Sequence, residues 1–290
     1  MEPAFRRYVE QCPDAVLVTD PAGRIVYANP VFERMTGYMA AELAGCTPAV
    51  LKSGLHEADF YRRLWSALLG GREFRALFAN RRKSGALYYE DKIIRPLYDA
   101  EGKVTHYVSF GRDATERALE FDKLTHAATH DSLTDLPNRS LFLDRLGQAL
   151  RHAERRNEHF TLAILDIDRF RDTNSRYGHL GGDAVLQAVA ARTRGCVREA
   201  DTVARIGGDE LAVLLVDAAA PDAASVLAKI VAANAAPLAH DGKELRATLS
   251  VGAAEYPADG HDADLLRKRA DEAMYAAKAA GGNRYLFYTR

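Results

Sequence analysis

Apolar and polar positions follow one pattern up to about residue 112 and another beyond residue 140. Residues 15–29, AVLVTDPAGRIVYAN, are two extended apolar runs around Pro21-Ala22-Gly23, which predicts a hairpin. Further short extended runs lie at 74–80, 86–96 and 103–112. Between them, EADFYRRLWSALLGG (57–71) places Phe60, Leu64 and Leu68 at every fourth position and ends at Gly70-Gly71, which predicts a helix and its stop. The order predicts an α+β unit with an antiparallel sheet, in which Trp65, Tyr38 and Phe60 are core aromatics. Residues 113–131 contain no Gly or Pro and predict one continuous helix. Its Ala114, Arg117, Phe121, Leu124 and Ala128 fall at 3,4,3,4 spacing, a short stripe that fits an amphipathic helix better than a long coiled coil.

From residue 140 helices and strands alternate. A helix over 140–156 is expected to start on Ser140 and to present Leu143, Leu146 and Leu150. A mostly apolar strand (160–168), a helix, a second helical stretch (183–197) and a hairpin, ARIGGDELAVLL (204–215), follow. An Ala-rich helix (222–236), a strand (245–256) and a last helix (262–280) complete the chain. This order predicts a central, mostly antiparallel sheet surrounded by helices. The chain thus divides into 1–112, a linker helix 113–129, and 130–290.

Length and composition agree, since 290 residues suit about two domains at ~150 residues each. With 39 basic and 40 acidic residues, no global field calls for nucleic acid or an anionic membrane. Cys12, Cys46 and Cys196 form no C-x-x-C pair, which argues against a disulfide framework or a zinc site. The N-terminus lacks a signal-peptide core, and no stretch approaches the ~18 apolar residues of a membrane span, so a cytoplasmic location is expected.

The chemistry lies where carboxylates interrupt apolar strands. Asp209 and Glu210 follow Gly207-Gly208 in the 204–215 hairpin, where the glycines are expected to supply positive φ. Asp166 ends the strand 160–168, with Asp168 placed to cap the next helix. Carboxylates on neighbouring strand ends repel by up to ~4 kcal/mol at 4 Å and intermediate dielectric. Such a cluster calls for a cation, and hard oxygen donors without His or Cys favour magnesium, which shares its shell with phosphates. The glycines would also let a phosphate approach the backbone.

Five stretches, HDSLTDLPNR (130–139), LDIDRFRDTNSRYGHLGGD (165–183), RIGGDEL (205–211), TLSVGAA (248–254) and LLRKRADEAMYAAKAAGGNR (265–284), resemble in order and spacing the signatures of GGDEF-family diguanylate cyclases. Residues 1–116 are similar to a PAS sensor domain, on GRIVYANPVFERMTGY (23–38) and GRDATER (111–117). The resemblance implies a homodimer that joins two GTP molecules into cyclic di-GMP with release of two pyrophosphates. It implies two Mg2+ ions per site, held by Asp166, the Ile167 carbonyl, Asp209 and Glu210, with Asp209 or Glu210 taking the proton from the attacking 3′-hydroxyl. Asn174 and Asp183 match the guanine readers, Phe170, Arg171 and His179 the pocket lining, and Lys278 a triphosphate clamp. Gly207 and Gly208 flank the phosphates. Arg198 and Asp201 form an R-x-x-D pair at the spacing of the family's product-inhibition site, in which Asp201 would orient Arg198.

Three residues depart from the family pattern: Leu211 for Phe, Arg171 for Lys, and Gly282 for an Arg that helps clamp the triphosphate. Loss of that Arg implies weaker GTP binding by ~1.5–3 kcal/mol unless Arg284 compensates. The PAS ligand stays open among a small molecule, a flavin, a haem and none. Pro48 stands where a photoreactive Cys would be needed, Cys46 lies two residues away, and His56 and His106 are the haem-ligand candidates. A non-catalytic receptor for GTP or cyclic di-GMP, motivated by Gly282, and a dimeric adaptor are the alternatives. No second catalytic domain is recognisable within the sequence, so cyclic di-GMP breakdown is not expected.

Overall fold

The computed structural model describes residues 3–289, which divide between Lys123 and Leu124 into two compact units. The first contains α1 (Pro3–Gln11), β1 (Ala15–Thr19), β2 (Ile25–Ala28), α2 (Pro30–Thr36), α3 (Ala40–Leu43), a 3-10 turn (Pro48–Leu51), α4 (Ala58–Leu69), β3 (Phe74–Arg81), β4 (Leu87–Tyr98) and β5 (Val104–Asp113). Its five strands pair antiparallel in the order β2-β1-β5-β4-β3. The buried Asn29 amide organises the start of this unit. Its Oδ1 accepts from Phe32 N, capping α2, and from Val16 N, while Nδ2 donates to the carbonyls of Val9 and Asp14. The aromatic expectation fails in part: Trp65 is 41% exposed, and Phe60 and Tyr38 are half-buried. Trp65 projects from α4 across Gly23 and meets Tyr107 edge-on, bordering a cavity instead of filling the core.

Helix α5 (Thr115–Thr129) is continuous and buries none of its residues; Phe121 is 68% and Leu124 63% exposed.

The second unit contains α6 (Arg139–Arg156), β6 (Phe160–Ile167), α7 (Phe170–Arg194), β7 (Thr202–Arg205), β8 (Glu210–Val216), α8 (Ala220–Asn234), β9 (Leu238–His240), β10 (Lys243–Leu245), β11 (Leu249–Tyr256), α9 (Ala263–Ala279) and β12 (Arg284–Phe287). The sheet runs β12-β11-β6-β8-β7, and every pairing is antiparallel except β11 with β12. The α+β class, with a mostly antiparallel sheet between helices, is as the sequence predicted. Several local expectations are corrected. Helix α6 is capped by Asn138, whose side chain accepts from Ser140 N and Leu141 N, and Phe142 takes the core position expected of Leu143. Residues 245–256 are not one strand, because 243–245 pair with β9 as a separate hairpin. Gly178, at φ 72°, kinks α7 into two helical pieces.

Strand periodicity decides which face each β6 side chain serves. Ala163, Leu165 and Ile167 pack with Val189 of α7 and Leu227 of α8. Leu162 and Ile164 pack with Phe142 of α6 and Met274 of α9 on the opposite face. Asp166 is in phase with the latter pair. On β8, Ala212 and Leu214 serve that same face, and Glu210 is in phase with them. Two carboxylates are therefore directed to the α9 side of the sheet by the same alternation that builds its core.

Candidate active site

Asp166 and Glu210 are directly opposed in the β6–β8 register, and Ile167 N donates to the Asp209 carbonyl at 3.3 Å across the open end of the pair. Asp166 is buried, while Asp209 and Glu210 are half-buried. From α9, Lys278 Nζ lies 2.7 Å from Asp166 Oδ2. Burial pushes the Asp166 carboxyl above its ordinary range, Lys278 pulls it down, and Asp209 and Asp168 add to the rise. Glu210 is also raised, first by burial and then by Asp166, Asp271 and Asp209. Burial alone would lower Lys278, yet its bond to Asp166 holds it above the usual lysine range.

Glycine serves the 206–209 loop by leaving space. Neither Gly207 nor Gly208 has positive φ, contrary to the sequence expectation; the loop closes through Ile206 N and Gly207 N, both donating to the Glu210 carbonyl. A Cβ on Gly208 would meet nothing within 4 Å, so the backbone there is open to an approaching ligand. Arg205 fixes the loop from behind. Its Nε and Nη2 donate to the Gly208 carbonyl, and Nη1 donates to Asp131 at 3.0 and 3.1 Å. Asp131 is itself held by Thr134. These anchors escaped the sequence reading, although both lie within quoted motifs.

Asp168 does not cap α7; the residue at that position is Arg169. The Asp168 carboxylate instead accepts from Thr248 Oγ1 (2.6 Å), Ser250 Oγ (2.5 Å) and Asn283 N (2.9 Å). It thereby ties the end of β6 to β11 and to the turn after α9. Asp271 was also missed: its charge acts on Glu210, and it lies seven residues before Lys278, two turns away on α9.

Among the described residues, no three His, Cys, Asp or Glu side chains are drawn together as a ready metal-binding group. The Lys278 ammonium on Asp166 occupies the position of a counter-ion. The donor set nevertheless suits a hard cation. Asp166, Asp209 and Glu210 offer only oxygen, two of them have raised carboxyls, and one lysine is their nearby positive charge.

The residues that the sequence predicts to face the nucleotide lie about the α7 kink. A Cβ on Gly182 would fall 1.9 Å from Asn174 Oδ1 and 3.3 Å from Phe170 Cζ, so only glycine lets these two side chains pack across the bend. Asp183 follows directly, inside the helix and not at its N-cap. Among the described residues, the side chains of Asn174 and Asp183 have no hydrogen-bond partner. Arg171 and His179 are exposed on the same helix.

The R-x-x-D pair is built differently from the expectation. Asp201 is buried and spends its carboxylate on the Arg198 and Val216 backbone N–H groups, not on the Arg198 guanidinium. Arg198 is exposed, with its side chain directed to solvent. Arg284 donates Nε to the Gly282 carbonyl at 3.1 Å. In the first unit, His56 Nε2 accepts from Ala79 N at 2.8 Å, burial lowers its pKa, and its ring stacks on Phe60; it is engaged as a neutral structural residue.

Comparison with known proteins places this geometry. Residues 128–284 match the family described as diguanylate cyclase, GGDEF domain, and residues 4–114 match the PAS fold. The diguanylate cyclase TpbB of Pseudomonas aeruginosa is 46% identical over 166 residues, covering 56% of this chain and 38% of that protein. The bifunctional diguanylate cyclase/cyclic di-GMP phosphodiesterase MucR of the same organism is 44% identical over 176 residues, covering 60% of this chain and 26% of that protein. The chain thus spans about a quarter to two fifths of the length of these relatives. Among solved structures, the coiled coil and GGDEF domain of DgcB from Caulobacter crescentus, in complex with c-di-GMP, superposes with a TM-score of 0.55 at 34% identity. That match covers 59% of this chain and 92% of the DgcB chain. With its signature loop at Gly207–Glu210 and the family match covering more than half its length, the chain belongs to the GGDEF diguanylate cyclase family, joined to an N-terminal PAS fold.

Proposed function

We propose that this chain is a PAS-regulated diguanylate cyclase, which condenses two GTP molecules into cyclic di-GMP across a homodimer. The observation that carries the reading is the cross-strand pair of Asp166 and Glu210, beside the open backbone at Gly208. Asn174 and Asp183 hold guanine, the carboxylate accepting from N1–H and the 2-amino group, a pair that adenine lacks. Phe170 and His179 line the pocket, and Lys278 and Arg171 direct positive charge toward the triphosphate. Gly207 and Gly208 let its phosphates reach the main chain.

Magnesium bound by Asp166, Asp209, Glu210 and the Ile167 carbonyl would neutralise phosphate charge and acidify the 3′-hydroxyl. Lys278 would then exchange its Asp166 partner for phosphate oxygen, a charge-assisted bond of the same kind. Asp209 or Glu210 accepts the hydroxyl proton as the 3′-oxygen attacks the partner GTP's α-phosphorus. The bond to pyrophosphate breaks, and a second such step closes the ring. Two sites must face one another, so helix α5 would transmit a change in the PAS unit as a change in their placement. Exposed Arg198 suits a product phosphate, with Asp201 shaping the backbone beneath it.

The test is incubation of the full chain with GTP and magnesium, followed by chromatography of the products. Cyclic di-GMP is expected from the wild type and not from Asp209→Ala, and Arg198→Ala is expected to reduce inhibition by product. Binding of GTP without turnover would favour the receptor reading, for which the Lys278–Asp166 ion pair and Gly282 are the supporting observations. Absence of nucleotide binding would leave only an adaptor.

A further inference from the structure

The first unit encloses a cavity of about 280 Å3 between the sheet, α4 and the 3-10 turn. Most of its wall is apolar, including Leu17, Leu64, Phe78 and Ile94, with Trp65 at the side. The space is large enough for several waters or a small organic ligand. No histidine or cysteine lines the wall.

Lys92 projects from β4 into this wall and is only 5% exposed. Its Nζ lies 2.8 Å from Glu90 Oε2 and 5.3 Å from the centre of the Phe78 ring. Among the described residues Glu90 is the one side chain paired with it, so the Lys92 ammonium has capacity for a further acceptor. Glu90 is fully buried behind Lys92, and its Oε2 also accepts from Asn80 Nδ2. Lys52, exposed and 3.9 Å from the Tyr61 ring centre, supplies the second charge of the lining. No carboxylate lines the cavity. Two ammonium groups, Lys92 in the wall and Lys52 at its exposed side, stand against one carboxylate, in a space whose remaining wall is mostly apolar with Thr19, Thr47, Asn80 and Ser109 among it.

We propose that this cavity binds a small monocarboxylic acid with an apolar body, its carboxylate accepting from Lys92 Nζ and its body lying against Trp65, Phe78 and Ile94. A carboxylate supplies a further acceptor for Lys92 and a counter-charge for Lys52. A neutral amide supplies only the first, and an amine supplies neither.

Trp65 is the only tryptophan of the chain, so its emission reports occupancy directly. The full chain is titrated with phenylacetate and hexanoate, with phenylacetamide and hexanamide as neutral counterparts and phenethylamine as a cation. Saturable emission changes are expected for the acids, with at least about tenfold weaker binding of the amides and none of the amine. Lys92→Met should weaken the acids by about tenfold or more while leaving the amides nearly unchanged. Because that variant strands Glu90, the double variant Lys92→Met/Glu90→Gln is measured alongside it, and Lys52→Ala tests the outer charge without disturbing the core. Equal affinity for acid and amide, acid binding retained in the double variant, or no response to either acid overturns the proposal. None of these readouts depends on cyclase activity.

Discussion

Restoring the family's arginine at position 282 is expected to damage the protein. Gly282 is buried, sits at φ 71°, and its N–H donates to the Ala277 carbonyl as α9 ends. A Cβ there would lie 2.7 Å from Asp168 Oδ2 and 2.9 Å from its Cγ. The neighbour cannot swing aside, because that carboxylate is pinned by Thr248, Ser250 and Asn283 N. The left-handed backbone costs a side chain ~1–2 kcal/mol, and giving up one charge-assisted hydrogen bond of Asp168 costs ~1.5–3 kcal/mol. Gly282→Ala should therefore destabilise the second unit by roughly 2.5–5 kcal/mol, a fall in Tm of about 5–20 °C at this size. Gly282→Arg should do no better and should not tighten GTP binding. Gly281→Ala is the control: its φ is 105°, but the nearest atom to an added Cβ is Arg284 Nη2 at 3.9 Å, so only backbone strain applies. Thermal melts of the full chain, resolved into the transitions of the two units, read the difference. A Gly282→Ala fall no larger than that of Gly281→Ala would refute the role given to the pinned carboxylate.

Glu210→Gln should abolish cyclic dinucleotide formation while raising stability near neutral pH, since the wild-type carboxyl is held above its ordinary range by burial and like charges. For such a group the stabilising contribution is present below the unfolded-state pKa and is lost as pH rises through the folded value. Melts from pH 4 to 8 should thus show a decline in the wild type that the variant lessens and added magnesium offsets. Asp131 has the opposite sign: burial raises it, but Thr134 and Arg205 more than compensate and leave it below the usual carboxylate range. Its contribution is present above the unfolded-state pKa and lost as pH falls through the folded value, so Asp131→Asn should cost about 1–3 kcal/mol near neutrality and little in acid. Phe121→Glu on α5 should leave the Tm nearly unchanged but shift sedimentation toward monomer and reduce turnover; an unaltered dimer would exclude this stripe as the contact.

Much of this architecture was legible because burial follows periodicity. The apolar runs of β6 and β8 marked both as buried strands, with Asp166 and the Asp209–Glu210 pair at neighbouring strand ends, where the register opposes Asp166 and Glu210. Choices between equivalent chemistries were not legible. Asn138 and Ser140 are both competent caps two residues apart, and backbone geometry selects Asn138. Asp168 has the residue type of a helix cap, but its partners lie 80 or more residues away in sequence. The same distance hid the Arg205–Asp131 clamp, and Asp271 reads as an ordinary helix-surface acid until α9 is laid against the sheet. Trp65 has the hydrophobicity of a core residue, but it borders a cavity and stays partly exposed.

The opposed position of Asp166 and Glu210 makes the strand ladder the ruler of the chemistry. Dropping one residue from β8 would rotate Glu210 to the α7 side or demand that the whole core of that strand invert, because successive side chains serve opposite faces. A deletion in the 206–209 loop would leave the pair in register but remove Gly207, Gly208 or Asp209 itself. Length variation should therefore fall outside this hairpin altogether, and a shortened strand should behave as a misfolded chain rather than as a slow one.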